Sequence, residues 1–212
     1  MTQDADAQYS IARKALQKLF LGDINFIQLG GAFQVNFAGA LQLQGLEDCI
    51  SFLTKETKEN RINLFEATDG NAWVIVSQSL SRIGLKVIAL QVSEKYLELC
   101  YSLQIERNAR IHKGGPFYWL AERMQENNDG VGALGCLLLA YIDDVKIYAD
   151  ARTTPAYQRL TGTYGVSPEL LEKLTKYAES KKSKFPFYPE EILVGWELEN
   201  LPAHRPAKRR RK

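Results

Sequence analysis

The hydrophobic pattern of this chain changes its period near Ser93. Up to about residue 92, apolar residues alternate with polar ones in short runs punctuated by glycine; beyond it they return every three or four residues. That switch points to a mixed N-terminal half and a helical C-terminal half. Residues 24–37 alternate around Gly30-Gly31 and predict a hairpin with a glycine turn. Residues 62–65 and 72–76 flank Asp69-Gly70, a strong turn signal, and predict a second hairpin; residues 85–90 read as a further strand. Helices are expected at 6–21, where Ile11, Ala15, Leu16, Leu19 and Phe20 form one stripe, and at 46–60, where Leu46, Cys49, Ile50 and Leu53 form another. Further helices are expected behind Ser93, with Val92, Tyr96, Leu99 and Leu103 in line, and at 117–125, 132–148, 167–180 and 189–198. Ser167-Pro168 supplies an N-cap followed by proline at the first helical position.

The expected fold class is α+β, mostly helical and two-lobed. An N-terminal helical arm (1–22) precedes an N-terminal lobe of β-hairpins plus helices (23–92). An all-helical C-terminal lobe (93–200) and a disordered basic tail (201–212) follow.

Composition agrees with a globular chain: of 212 residues, 45% are hydrophobic and 25% charged. The longest apolar run, 131–142, is too short to span a bilayer and contains Gly132 and Gly135, so no membrane insertion is expected. The acidic, polar start does not read as a signal peptide. Cys49, Cys100 and Cys136 are an odd set, far apart and without metal-ligand spacing, which reads as reduced, buried thiols of an intracellular protein. With His112 and His204 as the two histidines, neither a metal nor a cofactor is expected. The net charge of +2 is unevenly distributed. Arg205, Lys208, Arg209, Arg210, Arg211 and Lys212 crowd the end of the chain; without them the body carries 21 basic and 25 acidic residues, a net of −4. Such a tail suits a phosphate backbone, whose counterions it would release, or an import receptor.

Three motifs carry candidate chemistry. Tyr141-Ile-Asp143-Asp144 resembles the palm signature of reverse transcriptases, in which paired carboxylates hold the metals of phosphoryl transfer. The third carboxylate that chemistry needs would have to be Asp69, in a predicted turn; the bland reading is a helix whose acidic face meets solvent or Lys146. No P-loop or dinucleotide fingerprint occurs among the glycine pairs. His112 lies in a basic turn with Arg107, Arg110 and Lys113, directly before Phe117, Tyr118 and Trp119. Cations beside aromatic faces hold single strands without reading sequence, by stacking bases and tracking phosphates. Phe117 and Trp119 are each expected in the core, and Tyr118 is the ring expected to be accessible. Lys55, Lys58, Arg61, Arg82, Lys86, Arg123, Lys146, Arg152 and Arg159 are the further candidate phosphate contacts. Lys173, Lys176 and the Lys181-Lys182-Ser183-Lys184 run read as a helix face and its C-terminal end.

Several short strings, taken in order, resemble the nucleocapsid proteins of segmented negative-strand RNA viruses of the bunyavirus group, of tospovirus and orthobunyavirus type. They are Phe33-Gln-Val-Asn-Phe37, Cys49-Ile-Ser-Phe-Leu53, Trp73-Val-Ile-Val76, Ser81-Arg-Ile-Gly84, Leu85-Lys-Val-Ile-Ala-Leu90 and Leu139-Ala-Tyr-Ile-Asp-Asp-Val-Lys146. The resemblance implies two lobes clamping single-stranded RNA in a basic groove, with terminal arms docking on neighbouring subunits. Arg82 and Lys146 fall at positions that look shared; where the family has further arginines this chain has Ile88-Ala89-Leu90. The function expected is a non-enzymatic nucleocapsid protein that binds single-stranded RNA and self-assembles through residues 6–21, with a polymerase or an import receptor as further partners. Its location would be virion and host cytoplasm, with nuclear entry through the Lys208–Lys212 run. The rivals are a regulatory adaptor whose tail is a localisation signal, and a metal-dependent nucleic-acid enzyme using Asp143 and Asp144.

Overall fold

A computed structural model describes residues 46–59, 72–82 and 84–200. The arm, the 24–37 hairpin, Arg61, Asp69 and the basic tail lie outside them. Along the described chain run helices α1 (Leu46–Lys58), α2 (Ala72–Arg82), α3 (Lys86–Glu106), α4 (Gly114–Glu126) and α5 (Gly130–Val145). A 3-10 turn (Ala151–Thr153) follows, then α6 (Pro155–Gly162), α7 (Pro168–Ser180) and α8 (Pro189–Asn200).

Among the described residues there is no strand, which corrects the α+β expectation to a helical fold. Residues 72–76 belong to α2, and all but the first of the strand expected at 85–90 opens α3. The reason is burial. Trp73, Val74, Ile75, Val76 and Leu80 are all within a few per cent of full enclosure. A segment covered on every side needs no polar face, so its apolar run carries no helical period. Ala89, one turn before Val92, extends the α3 stripe back past Ser93. What separates α2 from α3 is Gly84, at φ +91°. The Leu85 amide donates to Leu80 O at 3.0 Å and Gly84 N–H to Ser81 O at 2.9 Å, the paired bonds of a glycine-terminated helix end.

Two apolar clusters meet on α3 and α4. The first joins Leu53 of α1, the buried face of α2, and Val92, Tyr96, Leu99, Cys100 and Leu103 of α3. Trp73 stacks on Tyr96 with centroids 5.7 Å apart, and its Nε1–H donates to Thr57 Oγ1 at 3.0 Å. The second gathers α4 to α8 around Leu137, Tyr141, Leu160, Leu171 and Leu174, with Leu90, Leu97 and Tyr101 of α3 packed against it. Asn128, at φ +65°, ends α4; Asp129 then caps α5, accepting from Gly132 N–H at 2.8 Å. This tight turn makes α4 and α5 an antiparallel pair. The Ser167-Pro168 start expected for α7 is the start found, with Ser167 Oγ accepting from Leu170 N–H at 3.2 Å. No helix among the described residues is long and apolar enough to cross a membrane.

Leu160 has 0% exposure, so Leu160→Ala should lower the denaturant midpoint by an amount worth about 2–5 kcal/mol without changing the slope. The buried thiols give a pH test. Burial pushes Cys100 and Cys136 up from 9.0 to about 12. The stability they confer is complete below pH 9 and lost as pH climbs from 9 towards 12. In a Cys49→Ser background, replacing both by alanine should flatten the alkaline fall in unfolding midpoint.

Candidate nucleic-acid interface

The candidate site forms where the end of α5 meets the start of α4. Apolar residues on three sides of α5 draw its C-terminal turn inward, and Asp143 goes with it to 0% exposure. A buried carboxylate requires donors. Asp143 Oδ2 takes the Lys113 amide at 2.6 Å and the Gly114 amide at 3.1 Å. These are N–H groups that a helix start cannot satisfy internally. Arg110 Nη2 lies 3.5 Å from the other oxygen. Lys113 is fully enclosed: its Nζ donates to Gln104 Oε1 and Ile111 O, each at 3.0 Å, and sits over the Tyr101 and Phe187 rings. Burial pulls its ammonium below the usual lysine range; Asp143 opposes this and Arg110 adds to it. Arg110 stacks over Phe187 at 4.1 Å.

Asp144 does different work. Its Oδ1 lies 2.8 Å from His112 Nε2, and since an ionised carboxylate only accepts, the ring nitrogen is the donor. Tyr148 meets the His112 ring edge to face at 5.5 Å. A Cβ on Gly114 would collide with Asp144 Oδ1 and His112 Nε2, so glycine is required there. Beside this pair opens a cleft of about 420 Å3, walled by Tyr118, Trp119 and Tyr148, floored by Gly114 and Gly115, and rimmed by Thr153 and Thr154. Tyr118 and Trp119 stand edge to face at 5.4 Å. Phe117 is core, whereas Trp119, also expected in the core, is half-buried and lines the cleft with Tyr118.

The two aspartates therefore lie on no solvated face and do not meet Lys146, which corrects the bland reading of that motif. Among the described residues no group of three His, Cys, Asp or Glu side chains is placed to hold a metal.

The candidate cations are placed unequally. Lys55, Arg82 and Lys86 are exposed. Lys58 pairs with Glu106 at 2.9 Å, and Arg107 donates to Thr57 O at 3.0 Å, closing the end of α1. Arg123 is buried against Glu126 at 2.7 Å, and Arg159 pairs with Glu122 at 2.5 Å. Arg152 grips Asp150 through both carboxylate oxygens, in a second cleft of about 570 Å3 lined also by Glu169, Glu172 and Glu179. Those acids make the second cleft unsuitable for a polyanion. Ser81, the residue before Arg82, donates its hydroxyl to Glu126 in the last turn of α4, while Lys146 follows the end of α5, which Asp143 ties to the start of α4. The two residues that look shared with the family thus sit at opposite ends of a helix about 20 Å long.

One grouping was not foreseen. Lys146 Nζ donates to Lys181 O at 2.7 Å, bringing the 181–184 run, with Lys182 and Lys184 exposed, to the end of α5 two residues before Tyr148. The sequence signal was the run itself, read as a helix end. Comparison of the chain with known protein families, with curated proteins and with solved structures gives no match in any of the three.

Asp143→Ala would leave two buried amides without an acceptor and Arg110 without its anion. It should cost about 3–5 kcal/mol in denaturant unfolding. Gly114→Ala should cost about 1–3 kcal/mol by overpacking and shift the His112 ring resonances in a proton NMR spectrum.

Proposed function

We propose that this chain is a non-enzymatic, single-stranded-RNA-binding protein of nucleocapsid type, which assembles along the strand. The observation that carries the reading is that Tyr148 of the aromatic-walled cleft follows two residues after Lys146, whose Nζ holds the backbone at the start of the 181–184 run. Aromatic faces that stack bases beside cations that track phosphates are the two parts a sequence-tolerant single-strand site needs. The contacts at work are Tyr118, Trp119 and Tyr148 for bases, and Lys182, Lys184 and the tail of Arg205 to Lys212 for phosphates. Lys113 and Arg123 hold the fold instead. The nucleocapsid component rests on the short strings of the sequence, and self-assembly on the amphipathic stripe at 6–21.

The test is affinity for a short oligouridylate across a salt series. The logarithm of affinity should fall linearly with that of salt, and Lys182→Ala with Lys184→Ala should reduce the slope by about one for each lysine. Truncation before Arg205 should reduce it further, and protein purified without ribonuclease should carry RNA in rings or filaments. A monomer with salt-independent behaviour and no bound nucleic acid would remove the proposal. A truncated chain that keeps RNA affinity and loses nuclear location would make the tail a localisation signal.

A further inference from the structure

We infer that the cleft beside α4 takes a guanine base, with Asp144 as the acceptor that reads its Watson–Crick edge. The inference rests on the RNA-binding reading for the source of the base, and on the cleft alone for its identity.

The volume of about 420 Å3 falls in the range of small-ligand sites. Its walls are rings, so the occupant they fit is flat and aromatic. Beside His112, Thr153 and Thr154, the carboxylate in the lining is Asp144, whose side chain is only 7% exposed. It lines the cleft, so that residual exposure opens into it. His112 occupies one lone pair of Oδ1 and holds the carboxylate in place; both oxygens keep further acceptor capacity. The absent side chain at Gly114 leaves the place of a Cβ to Asp144 Oδ1 and His112 Nε2, which seats the carboxylate against the cleft floor.

A carboxylate offers two acceptors and no donor. Among the RNA bases, guanine alone matches it with two adjacent donors, N1–H and the N2 amino group. Adenine and cytosine set a ring acceptor beside their amino group, and uracil flanks its one N–H with carbonyls; each would turn a lone pair towards the carboxylate. Recognition of splayed-out bases on this edge between aromatic rings is the ordinary mode for single-stranded RNA. A free guanine nucleotide presents the same edge, so the chemistry does not depend on the strand.

The experiment follows Trp119 fluorescence on the full chain, with Trp119→Phe identifying the signal against Trp73 and Trp196. GMP, AMP, CMP and UMP are titrated, then oligouridylates carrying one guanosine or one adenosine. GMP should bind about ten-fold more tightly than the other three, and the guanosine oligomer more tightly than the adenosine one. Asp144→Asn keeps an oxygen for His112 but turns one acceptor into a donor; it should abolish the preference. Tyr148→Ala, at a position already 44% exposed, should weaken GMP several-fold with the fold intact. Equal affinity for all four nucleotides, or a preference that survives Asp144→Asn, overturns the guanine inference while the RNA-binding proposal stands. GMP preference in a protein that binds no oligomer upholds the cleft and removes that proposal.

Discussion

Asp143 is the constraint on which the rest of the site depends. One carboxylate oxygen, wholly enclosed, closes the first two amides of the α4 start onto the last turn of α5. An anion at a helix N-terminus also meets the positive end of the helix dipole. The paired helices are thereby locked at both ends, by this carboxylate at one and the Asn128-Asp129 turn at the other. His112 and Gly114 sit on either side of the locked backbone, so the cleft floor takes its shape from a bond made behind it. Lys113 and Arg110 balance the buried charge and tie in Phe187 and the segment leading to α8.

Much of this could be read from residue patterns where one face of a helix is solvated. The α7 start at Ser167-Pro168, the amphipathic α1 and the apolar run that became α5 all kept their period, and the structure places them as expected. The β-branched stretch at 74–76 did not, because a helix enclosed on all sides and a buried strand have the same local composition. Asp69-Gly70, just before it in the chain, adds a hairpin signal. The polar centre was illegible for a different reason. A lysine or arginine in a basic turn looks identical whether it points to water or, as Lys113 does, into an aromatic cage; only the fold decides. The Asp143-Asp144 pair shows the same: both carboxylates face His112, at 3.5 and 2.8 Å, but the backbone amides of the α4 start go to Asp143.

Electrostatics follows from that placement. Arg107, Arg123, Arg152 and Arg159 are engaged by carbonyls or carboxylates of the body, which fits an acidic body carrying a net of −4. Among the described residues, positive potential for a polyanion is left to Arg82 and the exposed lysines. The second cleft, with its glutamates, would turn a phosphate chain away and so gives the surface a direction.

The uninterrupted α3 has a mechanical consequence. It is 21 residues long, a stiff rod of about 30 Å, and it lends one flank to each apolar cluster. Jaws hinged at the junction would have to snap that rod or shear it out of both cores at once. The two clusters of the described residues therefore move as one piece.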